Sequence, residues 1–370
     1  MNDVLPRAKA WAATHRGHVD EAMVRAHRDT DARFTQAWDA PVTRQDREHA
    51  EAAWLRPGAT LAQGAGDRAI AEEPDPLRTC FERDHDRIVH SAAFRRLAGK
   101  TQVVVFPTDH QRTRLTHALE VAQVATSIAR GIGANVTLAD AIALGHDCGH
   151  GPGGHASEDA FDAYLPGGYD HGPWGADVVL DKLNLCRQTL DGIRNHSWSR
   201  PAPSTIEGEI CSWADRIAYC AHDLEDAIHA GIVTARDVPR EVSDIVGTDR
   251  RSQLAGFIGA VVASTCRTGQ VGMDTDTAAA LAALRAFNYE RIYTRPESVA
   301  QSKAVVEVLQ ALVELYAAKP ELMPADYREG DDLMRQAVTY VGGMTDRYAF
   351  DQALQLLGWT PDRLPPVVGG

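Results

Sequence analysis

No stretch of this chain approaches the roughly 18 consecutive apolar residues that a membrane-crossing helix needs. The opening segment MNDVLPRAKAWAATHRGHVDE lacks the apolar centre of a secretory signal, so a cytoplasmic protein is expected. Six cysteines (Cys80, Cys148, Cys186, Cys211, Cys220, Cys266) contain no CxxC pair, which indicates neither a zinc knuckle nor a disulfide framework. Cys148, beside His146-Asp147, is a candidate ligand, although a small buried thiol is the commoner reading. Positive charge is short: 38 Lys and Arg face 51 Asp and Glu, and the net charge of -13 argues against non-specific nucleic-acid binding by the whole molecule. A local basic pocket remains compatible with it. Repeats of fixed period and low-complexity tracts are missing, and strand signal is almost confined to TQVVVF, stopped by Pro107.

What remains is helical. The 44% hydrophobic and 24% charged fractions and a mean hydropathy of -0.29 describe a globular chain, and 370 residues can bury a sizeable core. Length alone fits about two domains or one large helical body. An all-α, multi-helix architecture with at most a few short strands is expected. Residues 1–75 alternate helical patches with breakers (Pro41, Pro57, Gly58, Gly64, Gly66) and read as a helical or partly ordered extension. A central zone covers 76–235, and 236–370 is a further helical region expected to pack on it.

Within the central zone, Phe81, Ile88, Ala92 and Leu97 share one face of a helix predicted from Thr79 to Leu97 and ended by Gly99. A second helix is predicted over Thr116–Arg130. Thr137 is expected to cap a third, LADAIALGHD, with Asp140 in its first turn. In IEGEICSWADRIAYCAHDLEDAIHAG, Ile206, Ile210, Trp213, Ile217, Leu224 and Ile228 form an apolar face, and Gly231 ends the helix. SQLAGFIGAVVAST, DTAAALAALRAFNYERIY, SKAVVEVLQALVELYAA and DDLMRQAVTYVGGM supply the later helices.

The chemistry concentrates between Arg112 and Glu158. His-Asp occurs three times, at His85-Asp86, His146-Asp147 and His222-Asp223, so the dipeptide itself discriminates little. His146-Asp147 differs in ending an apolar helix, where a polar doublet is costly unless a metal or hydrogen bonds satisfy it. Gly149, Gly151, Gly153 and Gly154 follow, leaving the backbone room to approach a ligand. His117 adds an imidazole from another helix, and mixed imidazole and carboxylate ligation suits Mn, Fe, Co, Ni, Zn or Mg without choosing among them. Asp215 is the best fourth ligand; with Tyr219 and Asp223 it forms one polar arc of its helix, whose alternative is a solvated face. His155 and Glu158, at i and i+3, suit an acid/base pair or a base and its orienter, the alternative being an ordinary loop histidine beside a helix-start acid. His171 and His196 are weaker single histidines. Arg112, Arg114, Arg95, Arg96, Lys100 and Arg216 flank these groups, and Arg114 should share a face with His117.

R-x-x-H at Arg114–His117, H-D-x-G-H at His146–His150, H-x-x-E at His155–Glu158 and A-D-R-I-A-Y-x-x-x-D at Ala214–Asp223 together resemble the HD-type metal phosphohydrolases. The flanks, RDHDRIVHSAAFRRLAGKTQV, TRLTHALEVAQVA and the distal MTDRYA at Met344–Ala349, are similar to bacterial deoxynucleoside triphosphate triphosphohydrolases of the dGTPase-like family, over about residues 76–350. The resemblance implies one divalent ion held by His117, His146, Asp147 and Asp215, and a metal-dependent phosphohydrolase core over 76–235. It implies Arg114, His150 and Arg216 at the triphosphate, His155, Glu158 and His171 in catalysis, and Gln102, Tyr219 and Asp223 at the deoxyribose. Three positions depart from the family pattern: Gly153 replaces the Phe of H-x-P-F-G-H, His171-Gly172-Pro173-Trp174-Gly175 stands where H-N-x-Q-S is common, and Arg216 stands where Lys is common.

The activity implied is hydrolysis of a dNTP to a deoxynucleoside and tripolyphosphate. Homo-oligomerisation, dimer-based and up to hexameric, and dNTP as an allosteric activator are implied alongside it. Two rivals keep the site and change its use: a nucleotidase or phosphodiesterase on another nucleotide, and a non-catalytic nucleotide sensor.

Overall fold

Two hydroxyl side chains set the start of the central zone. In the computed structural model, which describes residues 5–20, 23–28, 31–103 and 111–365, Thr79 caps a helix through a reciprocal capping box with Glu82, and Ser91 Oγ accepts from Phe94 N at 3.0 Å. Ser91 is extended, so the predicted Thr79–Leu97 helix is in fact two, followed by a tight turn over Leu97–Gly99. The third helix also starts elsewhere than expected. Asn135, not Thr137, is its cap, accepting from Thr137 N and Leu138 N at 3.1 Å each, and Asp140 therefore falls outside the first turn, beside His85.

The chain divides into two compact units, Met1–Val42 and Thr43–Gly370. The first contains α1 (Pro6–Thr14) and an antiparallel hairpin, β1 (His18–Asp20) with β2 (Met23–Arg25), in which Val19 faces Val24. These are the two strands among the described residues, and the architecture is all-α as expected. Of TQVVVF, Thr101 forms a single bridge with Thr113; the part from Val104 onward lies outside the described residues.

In the second unit α2 (Arg44–Trp54) leads to α3 (Cys80–His90) and α4 (Ala92–Arg96), then α5 (Arg114–Ile132), α6 (Val136–Gly145), α7 (His155–Phe161), α8 (His171–Trp174), α9 (Arg187–Arg194) and α10 (Ile206–His229). The later helices are α11 (Arg240–Val246), α12 (Arg250–Thr268), α13 (Thr275–Asn288), α14 (Pro296–Ala318), α15 (Leu333–Gly342) and α16 (Asp346–Leu356). Residues 59–64 are tied to the bundle by acids: Glu207 accepts from Thr60 N (3.1 Å), Thr60 Oγ1 (2.7 Å) and Asn135 N (2.8 Å). No helix among the described residues is long and apolar enough to cross a membrane.

Two apolar cores organise this unit. The larger is built on α5, α6 and α10, where Ile128, Ile142 and Ile217 are fully buried. Each such side chain contributes about 1.5–3 kcal/mol, comparable to the about 1–3 kcal/mol cost of one buried polar atom without a partner. That packing can therefore hold several such atoms in place. The smaller core gathers Ala156, Ala160 and Phe161 of α7 with Val305, Val308, Leu309, Val338, Val341 and Phe350 from α14, α15 and α16. The helix carrying His155 and Glu158 thus belongs with the C-terminal helices.

Candidate active site

Helix α5 supplies His117, the turn after α6 supplies His146 and Asp147, and α10 supplies Asp215. His117 Nε2 lies 3.1 Å from Asp215 Oδ1 and 3.8 Å from Asp147 Oδ2. His146 Nε2 is 3.4 Å from Asp147 Oδ1 and 3.7 Å from Asp215 Oδ1. His146 Nδ1 donates to Ala143 O at 2.6 Å, which places the proton on Nδ1 and leaves the Nε2 lone pair facing the carboxylates. That Nε2 is buried without a hydrogen-bond partner, and so is His117 Nδ1. Buried imidazole nitrogens converging on two carboxylates fit a divalent cation. Burial pushes the Asp147 carboxyl up, yet the Arg114 guanidinium and nearby imidazoles outweigh it and hold the group well below the usual carboxylate range. Asp215 is likewise lowered against its burial, chiefly by the hydrogen bond from His117.

The other two His-Asp pairs have different fates. His85 and Asp86 are part-exposed and 3.3 Å apart. His222 turns to the Ala218 carbonyl, while Asp223 faces Arg112 and Tyr293.

A second group of imidazoles flanks the first. Glu158 accepts from His155 Nδ1 at 3.0 Å through Oε2 and from His171 Nδ1 at 2.6 Å through Oε1, and His171 N adds a bond of 3.1 Å. His171 stacks on His150 with ring centres 3.7 Å apart. Its Nε2 lies 3.0 Å from His196 Nε2, and His196 Nδ1 donates to Ile193 O at 2.7 Å. With its proton on Nδ1, His196 accepts at Nε2, so His171 donates from both nitrogens. Burial opposes a charge on His171, but Glu158 prevails and its pKa is raised; burial and the neighbouring His171 push His196 down to about 3. Glu158 is held below the usual range by its two histidines despite burial. The His155 side chain itself is 73% exposed, free to meet a ligand at the cavity mouth.

Arg114 gives Nη1 to Asp147 Oδ2 at 2.7 Å, while its Nε and Nη2 are buried with no partner, donors suited to an anion. Arg216 lies over the Trp198 ring, 3.4 Å from its centre. Tyr219 Oη accepts from Arg285 Nε at 2.9 Å. Asp223 pairs with Arg112 and accepts from Tyr293 Oη; Arg112 is also bonded to Glu120 (2.9 Å) and Asp226 (2.8 Å). Of the thirteen candidate residues, all but His146 and Glu158 line one cavity of about 460 Å³, and those two stand directly behind it, so Gln102, His150, Tyr219 and Asp223 share a space with His117, Asp147 and Asp215. The polar arc of α10 faces this cavity and is not a solvated helix face.

The glycines after His146-Asp147 work differently from the expectation that they admit a ligand. A Cβ on Gly154, at φ +64°, would come within 2.5 Å of Arg114 Nη2, and one on Gly153, at φ +73°, within 2.4 Å of Val305 Cγ1. Protein fills that space, and Val305 occupies the ground that a larger residue at 153 would need. Sequence reasoning undervalued His196, because a lone histidine carries no spacing signal, and missed Trp198, Arg285 and Tyr293. Tyr293 ends a π-helical turn after α13, which breaks the 3.6-residue periodicity that would have placed it.

Known proteins resemble this chain in sequence. A model of the HD domain matches residues 114–220, and a model of the phosphohydrolase-associated domain matches 271–355. A deoxyguanosinetriphosphate triphosphohydrolase-like protein of Caldanaerobacter subterraneus subsp. tengcongensis is 37% identical over 316 residues, covering 83% of this chain and 93% of its own. The chain belongs to the deoxyguanosinetriphosphate triphosphohydrolase-like family. A namesake from Clostridium perfringens strain 13 is also 37% identical, over 84% of this chain and 96% of its own. Among solved structures, a phosphohydrolase from Bacteroides thetaiotaomicron aligns with a TM-score of 0.48 at 17% identity, over 75% of this chain and 70% of that one. In this triphosphohydrolase-like chain the HD match begins at Arg114 and takes in Asp215 and Tyr219, whereas Arg285, Tyr293 and Val305 fall in the associated-domain match.

Proposed function

We propose that the protein is a metal-dependent dNTP triphosphohydrolase, converting a dGTP-like nucleotide and water to deoxynucleoside and tripolyphosphate. The observation carrying this reading is the convergence on one cavity of His117, Asp147 and Asp215, backed by His146, with the unpartnered Arg114 donors and the Tyr219–Asp223 arc. Residues His117, His146, Asp147 and Asp215 would hold the ion. When bound, a divalent ion supplies positive charge that polarises a phosphate oxygen and eases water deprotonation.

The chain's own groups do the rest. Arg114 and Arg216 bind the phosphate chain and offset its charge. His150, buried and held neutral first by burial and then by Arg114, offers an imidazole rather than a second cation. His155, oriented through Nδ1 by Glu158, delivers a proton to the departing 5′ oxygen as the P–O5′ bond breaks. Water forms the new bond to the α-phosphorus, and the proton it gives up replaces the one that His155 has lost. Gln102, whose buried Oε1 has no partner, and Asp223 address the sugar hydroxyl, and the Tyr219 ring excludes a ribose 2′-hydroxyl by steric conflict. Dimer-based assembly and activation by dNTP belong to the same proposal, resting on family resemblance.

Each dNTP, alone and mixed, is incubated with the purified protein and Mg or Mn, and nucleoside, phosphate and tripolyphosphate are resolved. Equimolar nucleoside and tripolyphosphate support the reading. Release of monophosphate or pyrophosphate moves the assignment to a nucleotidase or phosphodiesterase, and binding without turnover moves it to a sensor.

A further inference from the structure

Asp346 opens α16, 193 residues downstream of Gly153, yet its carboxylate reaches back into the active-site loop. Its Oδ1 accepts from Gly153 N at 2.8 Å. Its Oδ2 accepts from Thr101 N at 2.9 Å and from Thr101 Oγ1. Nearby, buried Lys100 donates from Nζ to His150 O and to Gly342 O at 3.0 Å, so the same segments are stitched a second time. Val305 of α14 fills the space beside Gly153. Asp346 makes no bond to His117, His146, Asp147 or Asp215, so its contacts serve the loop and not the ion quartet.

Each carboxylate oxygen accepts a backbone N–H, and the two N–H groups come from different segments. The carboxylate bridges the chain just before Gln102 to the loop just before His155. We propose that Asp346 is a positioning residue, through which the C-terminal helices set the Gly151–Gly154 loop and hence the placement of His155 and Glu158 relative to the metal-facing half of the cavity. The role matters most here because Gly153 and Gly154 carry no side chain to anchor the loop. The inference rests on the proposed hydrolysis for its kinetic readout, and on hydrogen exchange for a readout that needs no turnover.

The test compares the full-length protein with Asp346→Asn, which turns one acceptor into a donor facing an N–H, and with Thr101→Val, which removes one hydroxyl donor. In Asp346→Asn, amides of residues 149–156 should exchange about tenfold faster while those of α5, α6 and α10 are unchanged. Bound Mn per chain should match the parent, kcat should fall roughly 10- to 100-fold as expected for a displaced catalytic group, and KM should stay within about threefold. Thr101→Val should move exchange and kcat the same way by less, and it carries the test if Asp346→Asn does not fold. Unchanged exchange in the loop, an unchanged kcat per metal-loaded chain, or a fall in kcat matched by lost Mn would overturn the proposal. Should the parent release no tripolyphosphate from any dNTP, the function reading fails separately, and the exchange comparison still decides whether Asp346 holds the loop.

Discussion

His171 Nδ1 lies 2.6 Å from Glu158 Oε1, a shorter contact than the 3.0 Å from His155 Nδ1 to the other oxygen of the same carboxylate. One acid therefore orients two imidazoles, a buried one and an exposed one. Glu158→Gln places an amide donor against one of them. Turnover should fall about 10²- to 10⁴-fold, the range for a lost general acid–base group, while Mn content stays at the parent value. Equal activity in steady-state assays would remove the pair from the mechanism.

Asp147 faces both halves of the cavity, with Arg114 on Oδ2 and His146 and His150 near Oδ1. Asp147→Ala should abolish both metal binding, read by elemental analysis of the dialysed protein, and tripolyphosphate release. Release by a metal-free variant would refute the assignment of this quartet.

Arg112 is buried among Asp223, Glu120 and Asp226. Burial disfavours its charge, but the three carboxylates dominate and raise its pKa. Arg112→Met leaves those acids uncompensated and should cost about 3–5 kcal/mol in denaturant unfolding. Arg112→Lys should recover only part, because an ammonium cannot bond three carboxylates with the geometry of a guanidinium.

Glu72 ties residues 67–75 to α3 through Arg87 and Arg83, and to the stretch before α9 through Asn184. The Arg87 hydrogen bond, aided by Asn184, lowers its pKa to about 2. A lowered folded-state pKa means that its stabilisation is complete above the unfolded value, about 4.3, and is lost as pH falls toward about 2. Glu72→Gln should melt lower than the parent at pH 7 and lose less on acidification from pH 5 to 3. Parallel acid limbs for the two proteins would contradict this.

Much of the half of the site built on α5 and α10 was legible because it follows helix periodicity. Arg114 and His117 share a face of α5, and Asp215, Tyr219 and Asp223 share an arc of α10, as the spacing required. Capping competition was harder to read. Asn135 outcompeted Thr137, and Ser91 split a helix whose apolar pattern runs straight through it. Arg285, Trp198 and Tyr293 were illegible for another reason: they enter the cavity from distant chain segments, and one of them follows a π turn. Asp346 was visible only as part of a motif, since nothing local in MTDRYA indicates a partner 193 residues away.

The division into two cores means that the cavity has two landlords. His117, His146, Asp147 and Asp215 are rooted in α5, α6 and α10, whereas the helix bearing His155 and Glu158 is rooted among α14, α15 and α16. Under the proposed function, sequence drift in the C-terminal helices should retune turnover without altering metal binding, and drift in the first core should do the reverse. Substitutions far from the cavity should sort by the core that they enter: one class changing rate at constant metal occupancy, the other changing occupancy first.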